Sequence, residues 1–431
     1  QDRQLVTVLG VPTDLELDED LNGVRDLGNS WSKMTTGRIR VCTGSCADEE
    51  IEDRFVAIFG GGVGDDPATA TGNFIYMVDV ETGKVIYKKD VIGAVPSDIA
   101  AIDANGDSFI DRLYFGTTAG LVYKVQFDTA ATPMKLESQT FQTRNPANGL
   151  TYNFNAVRLN GPAIELGRYD PFSIFSTGGR PLYQEVAAIY LVTQGRVALA
   201  FGTGNRWNLW DFDDVEGRFY VLLDDNFVDP DHDGVIDITC GGCTEPLTES
   251  SYVAVAPDSV NGTSLLLYEG DGAGSLPGWY LTLDPNEKVI TEAFSFAGVT
   301  VFTSFRADEI ANDGGTCSRL GASHIFIVDT VRASGYAAGF ARYMTVGDLT
   351  TPPFVEQGAT KNPEGTPGTT NHADFITDEL ASIRDALKAL QLPRCRYANY
   401  TLNIKTIRSD TGVEFVAPVP VCIDPTNWKE F

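Results

Sequence analysis

Asp103-Ala-Asn-Gly-Asp-Ser-Phe-Ile-Asp111 is the stretch from which the rest of the chain can be read. It sets Asp103, Asn105, Asp107 and Asp111 at the first, third, fifth and ninth positions of a tight loop, and the carbonyl of Phe109 stands at the seventh. A hard dication takes six to eight oxygens at about 2.3–2.6 Å, and this spacing wraps oxygens around one point. Gly106 permits the sharp turn between ligands. An EF-hand would close with Glu where Tyr114 stands, and it would be flanked by amphipathic helices. The flanks here, Ile99-Ala-Ala-Ile102 and Leu113-Tyr-Phe115, are apolar runs of strand length. The reading is a calcium loop joining two β-strands.

The pattern recurs. Asp229, Asp231, Asp233 and Asp237 repeat the four positions, with Gly234 at the turn and the Val235 carbonyl at the seventh place. Asp18, Asp20, Asn22 and Asp26 do so again, with Gly23 and the Val24 carbonyl. Chance matches to this spacing would number about 0.1 in such a chain. The competing reading is that acidic, glycine-containing loops are solvated turns.

Composition narrows the classes. The 431 residues carry a net charge of −27, which lacks the basic footprint of a nucleic-acid binder. No apolar run is long enough for a membrane-spanning helix. No signal peptide opens the chain, and Gln1-Asp-Arg-Gln-Leu5 reads as the interior of a longer protein. Seven cysteines fall as the close pairs Cys42/Cys46 and Cys240/Cys243, then Cys317, Cys395 and Cys422. Small disulfide loops at the two pairs and a Cys395–Cys422 clamp would leave Cys317 over and place the chain in an oxidising compartment. A four-thiolate zinc site from Cys42, Cys46, Cys240 and Cys243 is the alternative. A thioredoxin-type role lacks the βαβ surroundings it needs.

Strand signals run along nearly the whole chain. They include Arg54–Gly60, the hairpin Gly72–Val80 and Lys84–Tyr87 about Glu81-Thr-Gly83, Gly120–Phe127, Arg196–Gly202, Gly217–Leu223, Gly278–Leu283, Gly298–Phe305 and Ser323–Asp329. Residues 128–160 read as a long surface connection and 356–373 as a Gly/Pro/Thr loop. One helix is predicted over 377–391, with Thr377 as its N-cap. Recurrent short strands divided by Asp and Gly turns suggest propeller blades with long insertions; a pair of β-sandwiches is the structural alternative.

Several separated stretches also resemble one known family. They are Leu27-Gly-Asn-Ser-Trp-Ser32, Phe59-Gly-Gly-Gly62, Tyr76-Met-Val-Asp-Val-Glu-Thr-Gly-Lys84, Pro96-Ser-Asp-Ile-Ala-Ala-Ile-Asp103 and Arg112-Leu-Tyr-Phe-Gly-Thr-Thr-Ala-Gly120. Further on come Ala200–Gly204, Gly278–Leu283 with Glu287-Lys-Val289, Val301–Phe305 followed by Cys317, and the terminal Asn427-Trp-Lys-Glu-Phe431. In this order they resemble the C-terminal domain of the PilY1 family of type IV pilus-associated proteins. The resemblance implies one all-β domain over 1–431, a modified seven-bladed β-propeller whose closing segment is 392–431, with the family's variable N-terminal region absent. It implies a calcium site at Asp103, Asn105, Asp107, Phe109 and Asp111. It also implies a place at the pilus tip on the cell surface, with minor pilins and a host or abiotic surface as partners. Loops 229–237 and 18–26 depart from the family pattern and suggest additional calcium sites, one to three ions in all. No Arg-Gly-Asp triplet occurs, so the integrin binding of some relatives is not carried over.

Catalysis finds little support in the residues. Only His232, His324 and His372 exist, and no nucleophile elbow, P-loop or His-Glu-Xaa-Xaa-His motif is present. Asp213/Asp214 could form an acid–base pair, but nothing in the sequence turns them towards a cleft. Trp207, Trp210 and Trp279 are expected to pack within or between blades. The expectation is a non-enzymatic, calcium-ordered adhesin and pilus-assembly factor. A quinone-dependent propeller dehydrogenase and a structural filament cap are the alternatives.

Overall fold

The computed structural model describes residues 18–29, 31–65, 70–104, 106–127, 133–145, 148–160, 169–191, 196–210, 216–224, 246–255, 278–296, 298–307, 321–331, 333–335, 342–347, 354–357, 399–408 and 412–422. They are almost entirely β. The first sheet is the antiparallel meander β1 (Thr35–Cys42), β2 (Ile51–Gly60), β3 (Phe74–Asp79) and β4 (Val85–Asp90). It is extended by the hairpin β8 (Met134–Arg144) and β9 (Thr151–Asn160), whose β8 joins β1 in parallel through Val41 and Cys42. The second sheet runs β5 (Ala100–Ile102), β6 (Arg112–Gly116), β7 (Leu121–Gln126) and β10 (Phe172–Ser176).

The third sheet is β11 (Ala187–Leu191), β12 (Arg196–Gly202), β13 (Arg218–Asp224) and β15 (Gly278–Thr282), with β14 (Val253–Val255) on its edge. In the fourth, β16 (Glu287–Val289) and β17 (Phe294–Phe296) both pair with β18 (Val299–Ala307), followed by β19 (Gly321–Asp329) and β20 (Tyr343–Gly347). The backbones of β21 (Phe354–Gln357), β22 (Asn399–Arg408) and β23 (Gly412–Cys422) form a fifth sheet.

Strand periodicity explains how these sheets stack. Successive side chains of a strand face opposite ways. On β6, Leu113 and Phe115 enter the core shared with Ile39, Ile58 and Met77 of the first sheet, while Tyr114 joins Leu199 and Phe201 of the third. On β13, Phe219 and Val221 pack with Phe302 and Phe326 of the fourth sheet, while Tyr220 and Leu222 face the second. All seven residues of β13 are buried. Four sheets therefore lie face to face in chain order, the inner two covered on both sides. A two-sheet sandwich cannot do this; propeller blades do. Among the described residues the sheets do not close into a ring.

One strand from each of the first four sheets, β1, β5, β11 and β17, lines a common axis. β5 lies beside β1 and β11, and β11 lies beside β17. These strands surround a cleft of about 300 Å³ lined by residues such as Thr35, Ala100, Ala187 and Phe294.

One expectation is corrected. Residues 128–160 are not an irregular connection, because 134–144 and 151–160 pair as a regular hairpin. Its polar alternation, as in Lys135-Leu-Glu-Ser-Gln-Thr140, is that of an exposed ribbon with few buried positions, which reads as loop when only apolar runs are counted. The expected helix at 377–391 and the loop at 356–373 fall outside the described residues, except that 356–357 belong to β21.

The inter-sheet core rests on an aromatic stack, with Phe219 and Phe302 centroids 3.6 Å apart and Phe302 and Phe326 4.6 Å apart. Phe302→Ala should cost about 3–5 kcal/mol of stability by cavity formation. Phe55→Ala, at an exposed position, should stay within about 0.5 kcal/mol. Chemical denaturation with the two variants side by side measures the contrast.

Candidate metal centre

The 103–111 loop is the connection between the antiparallel strands β5 and β6. Its wiring is carboxylate to backbone. Asp103 accepts N–H groups from Gly106 (2.6 Å), Asp107 (3.1 Å) and Ser108 (2.6 Å). Asp107 accepts from Phe109 at 2.9 Å, and Asp111 accepts from Ala104 at 2.7 Å. Gly106 takes the left-handed backbone that the turn needs, at φ +78. Asn105 lies outside the described residues.

The loop is anchored to the first sheet by its own apolar residues. The buried Phe109 ring lies 4.2 Å from the guanidinium carbon of Arg38 and 4.4 Å from that of Arg40. Two charged groups on β1 thus hold position seven by cation–π contact. Ile110 donates its N–H to the Arg38 carbonyl at 2.9 Å, and its side chain fills the space that a Cβ on Gly37 would take.

The 18–26 loop carries the same wiring. Asp18 accepts from Gly23 at 3.0 Å, Asn22 from Val24 at 2.8 Å, and Asp26 from Glu19 at 2.9 Å. These bonds join the same positions as those of Asp103, Asp107 and Asp111. In this loop one oxygen of each of Asp18, Asp20 and Asp26 converges to within 4.8 Å of the others. Asp18 and Asp26 are fully buried. Burial, then contact with Asp20, raises the Asp18 pKa. Burial pushes Asp26 up to about 6, against the pull of Lys88.

The other sequence expectations divide. Asp229, Asp231, Asp233, Val235 and Asp237 lie outside the described residues, as do Cys240, Cys243, Cys317 and Cys395; Cys422 ends β23 opposite Asn399. Cys42 and Cys46 form a disulfide across the end of β1, so they offer no thiolates to a zinc ion. Trp279 is buried and donates Nε1–H to the Thr330 carbonyl at 2.9 Å. Trp210 packs edge-on against Phe305. Trp207 departs from the packing expectation: it is 42% exposed and stacks on the equally open Trp31 at 5.7 Å. His324 is buried, its Nδ1 2.8 Å from Glu287 Oε1, and the same oxygen accepts the Ser304 hydroxyl. Glu287 therefore stands between the two groups, and Ser304 and His324 do not form a nucleophile–base pair.

A second carboxylate group was not found from the sequence. Asp98, Glu185 and Glu292 converge within 4.8 Å at one end of the axial cleft. Lys33 reaches Glu292 at 3.1 Å and Asp98 at 3.3 Å. Each of these four residues precedes the first residue of β1, β5, β11 or β17 by two positions. A blade-to-blade alignment of Ser32-Lys33, Ser97-Asp98, Gln184-Glu185 and Thr291-Glu292 would have exposed them.

Burial, with Glu292 and Asp98 beside it, pushes Glu185 up to about 7, while Lys33 opposes the rise. Folded Glu185 therefore keeps its proton through a range in which the unfolded chain releases it. Stability falls as pH rises from about 4.5 to about 7. Glu185→Gln should remove the Glu185 share of that fall and so flatten it, gaining on the order of 1–2 kcal/mol over wild type at alkaline pH after discounting for partial exposure. Melting curves at acid and alkaline pH test this; an equal pH dependence in both proteins contradicts it.

No family model and no curated protein sequence matches the chain. Among solved structures it is similar to the C-terminal domain of PilY1 from Pseudomonas aeruginosa, at 16% identity and a TM-score of 0.44, covering 73% of this chain and 61% of that one. The chain thus spans less than two thirds of the length of that domain. It also matches a member of the duf4221 family from Bacteroides vulgatus, at 8% identity and a TM-score of 0.18, covering 73% of this chain and 81% of that one. The PilY1 domain belongs to the family that the sequence motifs resemble, and what bears on function is the geometry of this chain's own loops.

Proposed function

We propose that this chain is a calcium-binding, type IV pilus-associated surface protein without catalytic activity, acting in adhesion and in the balance of pilus assembly, extension and retraction. The observation that carries the reading is the 103–111 loop, a nine-residue oxygen-rich turn hung between two paired strands and docked onto a neighbouring sheet. The order of family motifs along the sequence supports the pilus association, and the Cys42–Cys46 disulfide suits an exported location. Among the described residues no helix is long and apolar enough to cross a membrane. A seven-bladed propeller, minor pilins and a host or abiotic surface as partners, and a position at the pilus tip belong to the same proposal.

The mechanism is ordering by charge. Asp103, Asp107 and Asp111 would hold the ion with Asn105 and the Phe109 carbonyl. Without it, their carboxylates repel one another and the loop loosens. Phe109 and Ile110 then lose their seat on β1, and the first and second sheets lose one of their contacts. An ion that binds the folded state alone stabilises it by linkage, about 2.7 kcal/mol at a hundredfold excess over Kd. The 229–237 loop is another candidate calcium site by the same residue spacing.

Calorimetric titration of the chelator-stripped protein with calcium tests the first half. Asp103→Ala and Asp107→Ala should each remove one equivalent of binding while the far-ultraviolet spectrum stays that of the folded protein. Full retention of affinity would show the ligand assignment to be wrong. The second half is tested in cells that make Asp103→Ala in place of the wild-type protein, by counting surface pili. An unchanged count, with calcium binding lost, removes the link between the ion and the pilus.

A further inference from the structure

We infer that the 18–26 loop is a second, separate divalent-cation site, whose ion clamps the β8–β9 hairpin to the outer edge of the first sheet. The inference deepens the calcium reading and rests on it for the identity of the ion.

The first observation is an orphaned oxygen. Asp18 is fully buried, and its Oδ1 has no hydrogen-bond partner. An ionised carboxylate oxygen held away from water without a donor is costly, so such an atom signals a missing partner. The second observation is convergence, since Asp18, Asp20 and Asp26 each bring an oxygen to one point. A hydrogen-bond donor could serve one oxygen, but three carboxylates at one point call for a positive charge.

The charges already seated there do not supply it. Lys88 pairs with Asp26 at 2.5 Å and with Glu19 at 2.8 Å, and Arg158 leans on Glu19 at 3.4 Å. Neither Asp18 nor Asp20 has an ion pair among the described residues. Two adjacent carboxylates therefore lack a counter-charge, and one dication balances both. The donors are all oxygen: Asp18, Asp20 and Asp26, with the Asn22 side chain and the Val24 carbonyl at the remaining positions of the pattern. That set selects a hard cation of the calcium type over zinc or copper.

What the ion would join is set by the loop's attachments. Asp18 donates its N–H to Thr143 Oγ1 at 2.9 Å, and its carbonyl accepts from the Arg144 N–H at 3.0 Å, both on β8. Asp20 accepts the Asn73 side-chain amide at 2.8 Å, next to the start of β3. Asp26 is held by Lys88 on β4, and Arg158 projects from β9. Segments far apart in sequence meet at this nine-residue turn, and β9 runs beside β4. With the ion bound, mutual repulsion of Asp18 and Asp20 becomes attraction to a shared centre. The hairpin is then fastened to the sheet.

The test uses the full chain, stripped with chelator and titrated with calcium, comparing wild type, Asp18→Asn and Asp103→Ala. Asp18→Asn keeps the side-chain shape and removes the charge. It should bind one equivalent fewer than wild type. It should lose the calcium-dependent slowing of amide exchange at Gly23 and Arg144, expected to be at least about tenfold in wild type. Without calcium it should be no less stable than wild type, because the uncompensated charge is gone. A side chain with a purely structural role would give the opposite sign. Full stoichiometry in Asp18→Asn, or lower calcium-free stability than wild type, overturns the inference. If that happens while Asp103→Ala still loses an equivalent, the 103–111 site stands and only the clamp falls.

Discussion

The constraint on which this structure depends is that its inner sheets have no solvent face. A strand such as β13, buried along its whole length, must satisfy two different neighbours with alternate residues, aromatic on both sides: Phe219 towards the fourth sheet, Tyr220 towards the second. A shift of one residue in register would exchange the two sets. Sheets arranged in this way cannot slide or separate singly. The molecule is therefore held by inter-sheet packing more than by any one strand pairing.

Polar groups caught between the sheets are paired to match. Asp224, at the end of β13, accepts Lys124 at 2.7 Å and Tyr114 at 2.5 Å from the second sheet, with Arg112 at 3.3 Å. Burial lowers the Lys124 pKa, and Asp224 beside it counters that effect. Such a pair adds little net stability over apolar packing, but removing one partner alone would strand a buried charge. It fixes which faces meet. The acidic loops follow a different logic, since their carboxylates are satisfied mainly by backbone N–H groups, and at Asp18 one oxygen is left with no donor at all. Asp224 gathers its three donors on Oδ2 and leaves Oδ1 without one, but it has Lys124 and Arg112 as counter-charges, whereas Asp18 has no ion pair among the described residues.

Loop 103–111 was legible because its chemistry is local. Ligand spacing, the turn glycine and the flanking apolar runs all lie within twenty residues of one another, and the strands appeared where those runs predicted them. The hairpin about Glu81-Thr-Gly83 was legible for the same reason. The 134–160 hairpin was not, because an exposed ribbon has no apolar run to mark it. The carboxylates at Asp98, Glu185 and Glu292 were hidden for another reason. Each is an ordinary acidic residue in its own segment, and only stacking the sheets brings the three together.

Local wiring is what the sequence determined by itself. Residue types at fixed offsets dictate where a short loop turns and which backbone groups its carboxylates accept, since those partners are never more than seven residues away. Burial and convergence were decided only by the tertiary structure. The loops at 18–26 and 103–111 share one pattern, yet it is the 18–26 loop that lies against β4, β8 and β9, buries Asp18 and Asp26 and draws three carboxylates together. The neighbours that bury Asp18 come from segments as far as Thr143, 125 residues away, and no local pattern encodes that burial.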